Sequence, residues 1–134
     1  MKELAFRLER GSDLKHELSL ASGEETAVVL SSVGSLSKVN MRLAGANDTL
    51  EIERDFEILS LNGTLSHGDV HCHISVGDEK GNVLGGHLLE GSIVNTTCEV
   101  VLGILEEYDS LREYDENTGF REIKFWEKKN AVSD

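Results

Sequence analysis

The chain contains no proline, so its turns must be formed by the 13 glycines and by asparagine, aspartate and serine. Basic side chains are also scarce: 13 lysines and arginines stand against 25 aspartates and glutamates, which gives a formal net charge of −12. A chain this acidic repels the phosphates of nucleic acids and anionic lipid headgroups. We therefore expect neither DNA nor a membrane surface as a partner.

Long apolar runs are absent as well. Uninterrupted apolar segments span only a few residues, whereas a membrane helix needs roughly 20. The segment that begins Met1-Lys2-Glu3 is amphipathic from its start and shows no apolar region typical of a signal peptide. From these features we expect a cytoplasmic protein.

The composition is that of a globular domain, with 39% hydrophobic and 28% charged residues in 134. A chain of this length is sufficient for one hydrophobic core. We expect a single domain over residues 1–127 and a flexible tail over 128–134.

Cysteine is sparse. Cys72 and Cys98 are too far apart for a CxxC motif and too few for a disulfide scaffold. We expect each to be a small buried apolar residue.

Apolar and polar residues alternate over much of the chain, which predicts a strand-rich, mixed α/β fold. A short helix is expected after the cap Ser12-Asp13 and before Gly23. The predicted strands cover residues 2–10, 26–33 (ending at Gly34-Ser35), 39–43, 56–66, 70–76, 83–89, 93–105 and 120–126. For residues 93–105 the apolar spacing also suits a helix, and the density of Val, Thr and Ile favours the strand. The last of these carries apolar groups on both faces, so we expect it to be covered on both sides.

Two strand predictions specify faces. In residues 56–66 the alternation places Leu59, Leu61 and Leu65 on one face together with Gly63, which marks either a bulge or a close backbone approach. In residues 70–76 the apolar side chains alternate with His71, His73 and Ser75, and a turn at 78–82 leads into the next strand. Residues 70–89 therefore predict a β-hairpin.

Three of the five histidines lie on the arms of this hairpin, namely His71, His73 and His87. Residues two apart on a strand face the same way, about 6.6 Å apart, so two imidazoles can converge on one metal ion. A third from the adjacent strand would leave a coordination position open, as in catalytic zinc and non-haem iron sites. The alternative is a solvated strand face or a polar contact between subunits. His67 is expected in a surface turn and His16 on the helix, both outside the cluster.

Gly85 and Gly86 directly precede His87. Without a Cβ, they either let a backbone or a ligand approach closely or serve only a strand distortion needed for packing. The segment lacks the Lys-Ser/Thr end of a phosphate loop, and the chain has no G-x-S-x-G elbow. Neither nucleotide binding nor serine hydrolysis gains support.

Four segments in order resemble the PPC domain, which plants and prokaryotes share: FEILSLNGTLS at 56–66, HCHISVGDEKGNVLGGHL at 71–88, TTCEVVL at 96–102 and ENTGFREI at 116–123. The resemblance runs over about residues 6–125. It implies an α+β fold with a central, mostly antiparallel sheet beside a helix, assembled as a homotrimer. The histidines match the prokaryotic, stand-alone type, for which a bound metal, zinc or another divalent transition ion, is implied.

The plant members add two expectations. Their DNA-binding device is a basic AT-hook ahead of the domain, and this chain has no such arm. Their partner-contact segment reads Gly-Arg-Phe-Glu-Ile-Leu, and the matching positions here begin Arg54-Asp55-Phe56-Glu57. The resemblance thus implies partner contacts at Arg54, Phe56 and Glu57, although the first two positions depart from the plant pattern.

The favoured hypothesis is a trimeric module that binds a small ligand or a protein and carries a metal on the three histidines, without a reaction of its own. One alternative is a metal-dependent enzyme at the same site, in the manner of a cupin, although Glu79 lies farther behind the HxH pair than a cupin glutamate does. Another is a DNA-associated regulator, which the family's usual name suggests and the net charge of −12 opposes.

Overall fold

A computed structural model describes residues 1–129 and shows an α+β fold with a mostly antiparallel sheet and one short helix. Of the tail predicted at residues 128–134, residues 130–134 lie outside the described part of the chain. The elements in chain order are β1 (Lys2–Glu9), α1 (Leu14–Ser22), β2 (Thr26–Arg42), β3 (Thr49–Ser66), β4 (Asp69–Gly77), β5 (Val83–Leu88), β6 (Ile93–Ile104), β7 (Tyr108–Asp115) and β8 (Phe120–Glu127).

The helix α1 begins and ends where the sequence predicts. The Asp13 carboxylate accepts a hydrogen bond from the backbone N–H of His16 at 3.1 Å, which caps the first turn. Gly23 ends the helix with φ +54°, a conformation that glycine adopts without strain. Leu14 and Leu18 are fully buried and fix α1 against the sheet. Within residues 1–129, no helix has the length and apolar character needed to cross a membrane.

The large sheet has the strand order β1-β6-β2-β3-β4-β5, and β5 also pairs with the end of β2. In that second pairing Met41 lies opposite Leu88 and Arg42 lies opposite His87. The strands β2, β3, β4 and β5 therefore close on one another into a small barrel. Its interior holds apolar side chains from all four strands. The free cysteines, Cys72 on β4 and Cys98 on β6, are both buried, as predicted.

The two predicted strands at 26–33 and 39–43 are one continuous strand, β2, so the turn expected at Gly34-Ser35 is wrong. Gly34 instead lies against β6: a Cβ there would stand 2.6 Å from the Cα of Cys98. The glycine permits a close approach of two backbones. A register irregularity between Leu36 and Lys38 then bends β2 toward its pairing with β5.

The sequence places Leu59 on the same face as Leu61 and Leu65, and this prediction is wrong for Leu59. The pairing of β3 with β4 shifts register between Ile58 and Ser60, so Ile58 is buried and Leu59 is 53% exposed. Beyond the shift, Leu61 and Leu65 are buried as expected. At Gly63 the structure shows a close approach, because a Cβ there would overlap the His71 carbonyl oxygen and Cys72.

The C-terminal strand β8 is not covered on both sides, which corrects the expectation from its apolar faces. It forms a two-stranded sheet with β7, and Phe120, Phe125 and Trp126 are 66%, 47% and 46% exposed. The buried Ser110 hydroxyl of β7 anchors this hairpin through hydrogen bonds to the hydroxyls of Thr26 at 2.5 Å and Ser66 at 2.7 Å. The hairpin thereby lies beside the start of β2 and the end of β3.

Candidate metal centre

The β4–β5 hairpin brings together the three histidines that the sequence singles out. His73 lies directly opposite His87 across the pair, and His71 is two residues earlier on the same face of β4. One ring nitrogen from each of the three lies within 4.8 Å of the others. The ring centroids are 5.3 Å apart for His71 with either neighbour and 6.0 Å apart for His73 and His87.

The cluster faces outward because the other face of β4 belongs to the core. Cys72 and Ile74 point inward and are 0% and 2% exposed, so the alternation of β4 turns His71 and His73 to the outer surface. His87 is half-buried at the end of β5. The three imidazoles are therefore mounted on paired strands with a packed core behind them.

The surroundings of His71 and His87 favour neutral imidazoles. Partial desolvation, followed by the nearby positive charge of Arg42, lowers the pKa of His87 to about 4. Partial desolvation also lowers the pKa of His71, with a further contribution from Arg112, whereas Glu122 opposes this shift. Because only the neutral ring offers a lone pair, these shifts leave both side chains in their metal-binding form at neutral pH.

The donor set fits a transition metal ion. Nitrogens about 2.0–2.1 Å from a tetrahedral zinc ion lie about 3.3 Å from one another. The three ring nitrogens lie within 4.8 Å of one another, so small side-chain rotations would bring them to the separations that zinc requires. Within residues 1–129 none of the three imidazoles forms a hydrogen bond to another protein group. The carboxylates of Glu122 and Asp69 line the adjoining cavity together with His71 and His87.

A cavity of about 590 Å³ opens beside the cluster and has His71, His73 and His87 in its wall. The loop at residues 43–47, Arg42 and Phe120 form the rest of the wall with Gly86. A second cavity of about 400 Å³ shares Arg42 and two of the histidines and is bounded by the β7–β8 hairpin. The three histidines therefore face a space large enough for a small molecule.

The sequence analysis did not predict that arginines lie at this site. Arg42 ends β2, whereas Arg112 and Arg121 belong to the β7–β8 hairpin, and all three line the cavities. No local motif marks them, because the contacts that bring them to the histidines join segments far apart in sequence. The alternation in β2 was the available signal, since it places Arg42 on the outward face next to the inward Met41.

The glycine pair before His87 serves a close backbone approach. A Cβ on Gly86 would stand 2.7 Å from the carbonyl oxygen of Arg42, and one on Gly85 would stand 3.3 Å from that of Ile74. Gly86 thus permits the β2–β5 pairing that closes the barrel. It also lines the larger cavity.

The segment implied for partner contact lies on β3, before the register shift. Arg54 is exposed and forms an ion pair with Asp78 at 3.5 Å, and Glu57 is exposed. Phe56 is 3% exposed and packs in the core. None of these three lines the cavities beside the histidines.

The other two histidines lie outside the cluster, as predicted. His16 is exposed on α1. His67 occupies the β3–β4 turn with φ +49°, and its ring nitrogens contact the carboxylates of Asp109 at 3.0 Å and Glu24 at 3.4 Å. The hydrogen bond to Asp109 is the main cause of a raised His67 pKa. This histidine serves as a polar link between the turn and β7.

Fold and site together define a small α+β protein that carries a three-histidine cluster on a closed sheet. The chain belongs to the Plants and Prokaryotes Conserved (PCC) domain family, whose model matches residues 1–106. This is the family that the sequence motifs resemble, so the recognition is confirmed. The matched region contains all three histidines and Arg42, and it ends before the β7–β8 hairpin.

Known proteins with similar sequences and structures give further context. A "Bifunctional protein GlmU" from Synechococcus is 39% identical over 126 residues, which are 92% of this chain and 20% of that protein. The chain thus spans about a fifth of the length of the curated relatives it matches. A hypothetical protein from Salmonella cholerae-suis superposes with a TM-score of 0.92 at 32% identity, covering 96% of this chain and 95% of the other. A metal-containing protein from Archaeoglobus fulgidus has a TM-score of 0.73 at 28% identity, with 90% and 91% covered.

Proposed function

We propose that this chain is a metal-binding module in which His71, His73 and His87 hold one divalent transition ion, with zinc the expected metal. The observation that carries the proposal is the convergence of three ring nitrogens within 4.8 Å on paired strands. The lowered pKa values of His71 and His87 support it, because protons then compete weakly with the metal. The relative from Archaeoglobus fulgidus described as metal-containing adds support.

Three imidazoles leave at least one coordination position for another ligand. Water, the carboxylate of Glu122 or a group from a second subunit would occupy it. The cavity of about 590 Å³ at this position would admit a small ligand, so the proposed module binds a small molecule at its metal. An enzyme that uses the same open position is the second candidate, and this cavity is also the observation that favours it.

The proposed assembly is a homotrimer. Strand β1 is an edge of the large sheet and pairs only with β6 in the described part of the chain. On the outer face of β2, Leu30 and Val33 are 48% and 59% exposed. A closed ring of identical chains would cover such surfaces. Duplex DNA is not part of the proposal, because a net charge of −12 repels phosphates.

Cobalt substitution tests the proposed ligand set. Co²⁺ prefers the same nitrogen ligands as zinc and adds a visible spectrum that reports its geometry. We expect one equivalent of Co²⁺ to give the intense visible bands of a four- or five-coordinate site, and one equivalent of zinc to remove them. A spectrum no stronger than that of hydrated Co²⁺ would contradict the proposal.

A further inference from the structure

We propose that the cavity beside the histidines binds a small organic carboxylate, with the guanidinium of Arg42 pairing with the carboxylate next to the metal. This inference rests on the proposed metal site and names the class of ligand that the site takes. The position of Arg42, its lack of a carboxylate partner within residues 1–129 and the character of the cavity wall support it.

Arg42 lies directly opposite His87 in the β2–β5 pair, and His87 lies directly opposite His73 in the β4–β5 pair. Residues opposite each other in antiparallel strands project from the same face of the sheet. The three side chains therefore form one row across three strands on the outer face of the barrel. Desolvation is the main cause of the lowered pKa of both His87 and His71, and the positive charge of Arg42 adds to both shifts, which agrees with a guanidinium close to the cluster.

Arg42 lines both cavities beside the histidines. Five of the other 12 lysines and arginines are paired with carboxylates: Arg54 with Asp78, Arg7 with Glu9, Arg121 with Asp69, Lys38 with Glu51 and Lys124 with Glu113. Within residues 1–129, no carboxylate oxygen lies within 4.0 Å of a nitrogen of Arg42 or of Arg112. Arg112 donates instead to the neutral hydroxyl of Thr64 at 3.1 Å. Two guanidiniums without a carboxylate thus flank the histidines in a chain with 25 acidic residues.

This arrangement matches an anion that also reaches the metal. A guanidinium presents a planar fork of N–H donors that suits the two oxygens of a carboxylate. The three histidines line the same cavity as Arg42, so a metal that they held would take an oxygen ligand from that cavity. Held between the two, a carboxylate would satisfy a positive charge that the protein itself leaves unpaired.

The cavity wall favours an organic acid over a phosphate. Leu43 and Phe120 are 40% and 66% exposed on this wall and offer an apolar surface to the body of a small molecule. Phosphate sites commonly use the free N–H groups of a helix N-terminus. Here the first turn of α1 is capped by Asp13, and α1 does not line the cavity. The volume of about 590 Å³ suits a small metabolite.

The test uses the zinc-loaded full chain with lactate as the probe. Lactamide has a similar shape but no charge, and inorganic phosphate tests the other oxyanion. Arg42→Gln removes the proposed partner, and Arg54→Gln is the matched control because Arg54 lies outside both cavities. Zinc content is measured first for all three proteins, before and after lactate addition, and lactate affinity follows by calorimetry.

We expect one zinc per chain in all three proteins. Lactate should bind wild type and Arg54→Gln within twofold of each other and Arg42→Gln at least about tenfold more weakly, as expected for loss of a charge-assisted hydrogen bond. Failure of the wild type to take up zinc would overturn the metal site and with it this inference. Three results, each in protein that does take up zinc, would overturn the carboxylate site alone. These are equal lactate affinity of Arg42→Gln and Arg54→Gln, equal affinity of the wild type for lactate and lactamide, and tighter binding of phosphate than of lactate by the wild type.

Discussion

His73 and His87 lie directly opposite each other on β4 and β5, with their ring centroids 6.0 Å apart. The same strand β5 joins the end of β2 through the pair of His87 with Arg42. The histidine cluster therefore lies at the seam where the barrel closes. The three imidazoles are held by strand pairing and not by a loop, so the proposed metal site would be largely formed before a metal binds.

Replacing His73 with alanine should weaken zinc binding at least about 100-fold, because it removes one of the three proposed ligands. The fold should persist, since Cys72 and Ile74 on the other face of β4 carry the core contacts. Calorimetric zinc titration measures the loss. His16→Ala is the matched control: this exposed histidine lies on α1, and its loss should leave zinc affinity unchanged. Equal zinc affinity of the two variants would argue against the ligand assignment.

The pH dependence of zinc binding should be displaced toward acid. Protons compete with the metal only when they bind the imidazoles, and the pKa of His87 is lowered from 6.5 to about 4. The pKa of His71 is also lowered. Zinc affinity should therefore change little between pH 7.5 and 6.5 and fall at lower pH. Titrations at several pH values test this, and a steep fall already above pH 6.5 would disagree with the environment described for the cluster.

Gly63→Ala should destabilise the fold by about 1–3 kcal/mol, the usual cost of forcing extra volume into a packed position. The new Cβ would overlap the His71 carbonyl oxygen and Cys72 on the neighbouring strand. Urea unfolding at one fixed protein concentration measures the change. Its neighbour Asn62 is exposed, so Asn62→Ala should stay within about 0.5 kcal/mol of the wild type. Equal stability of the two variants would show that β3 and β4 can separate at this point without cost.

The proposed assembly predicts three times the chain mass of 14.7 kDa in sedimentation equilibrium. The edge strand β1 and the exposed apolar residues of β2 give the physical reason. Val33→Lys would place a charge on that apolar surface and should shift the equilibrium toward smaller species if the surface is an interface. A stable monomer of the wild type at micromolar concentration would rule out the trimer.

Local alternation was enough to predict much of the fold. It correctly gave the helix between Asp13 and Gly23, the β4–β5 hairpin and the outward face of His71 and His73. These features depend on neighbours in the chain, whose geometry is fixed by the two-residue period of a strand or by a helix cap. The three ligand candidates followed from that hairpin alone.

The features that sequence reasoning missed depend on distant contacts. The register shift that exposes Leu59 and the continuous path of β2 through Gly34 depend on the strands alongside them. The position of Arg42 opposite His87 depends on closure of the barrel. Strand β8 has apolar groups on both faces and yet lies exposed, because its only strand partner in the described chain is β7.

Zinc stoichiometry of the wild-type protein tests the central claim most directly. The protein is purified without chelator, its metal content is determined by mass spectrometry, and the metal-free form is then titrated with zinc at pH 7.5. The three converging ring nitrogens of His71, His73 and His87 predict one zinc per chain, bound with neutral imidazoles. A protein that carries no transition metal when isolated and takes up no zinc in the titration would contradict the metal site.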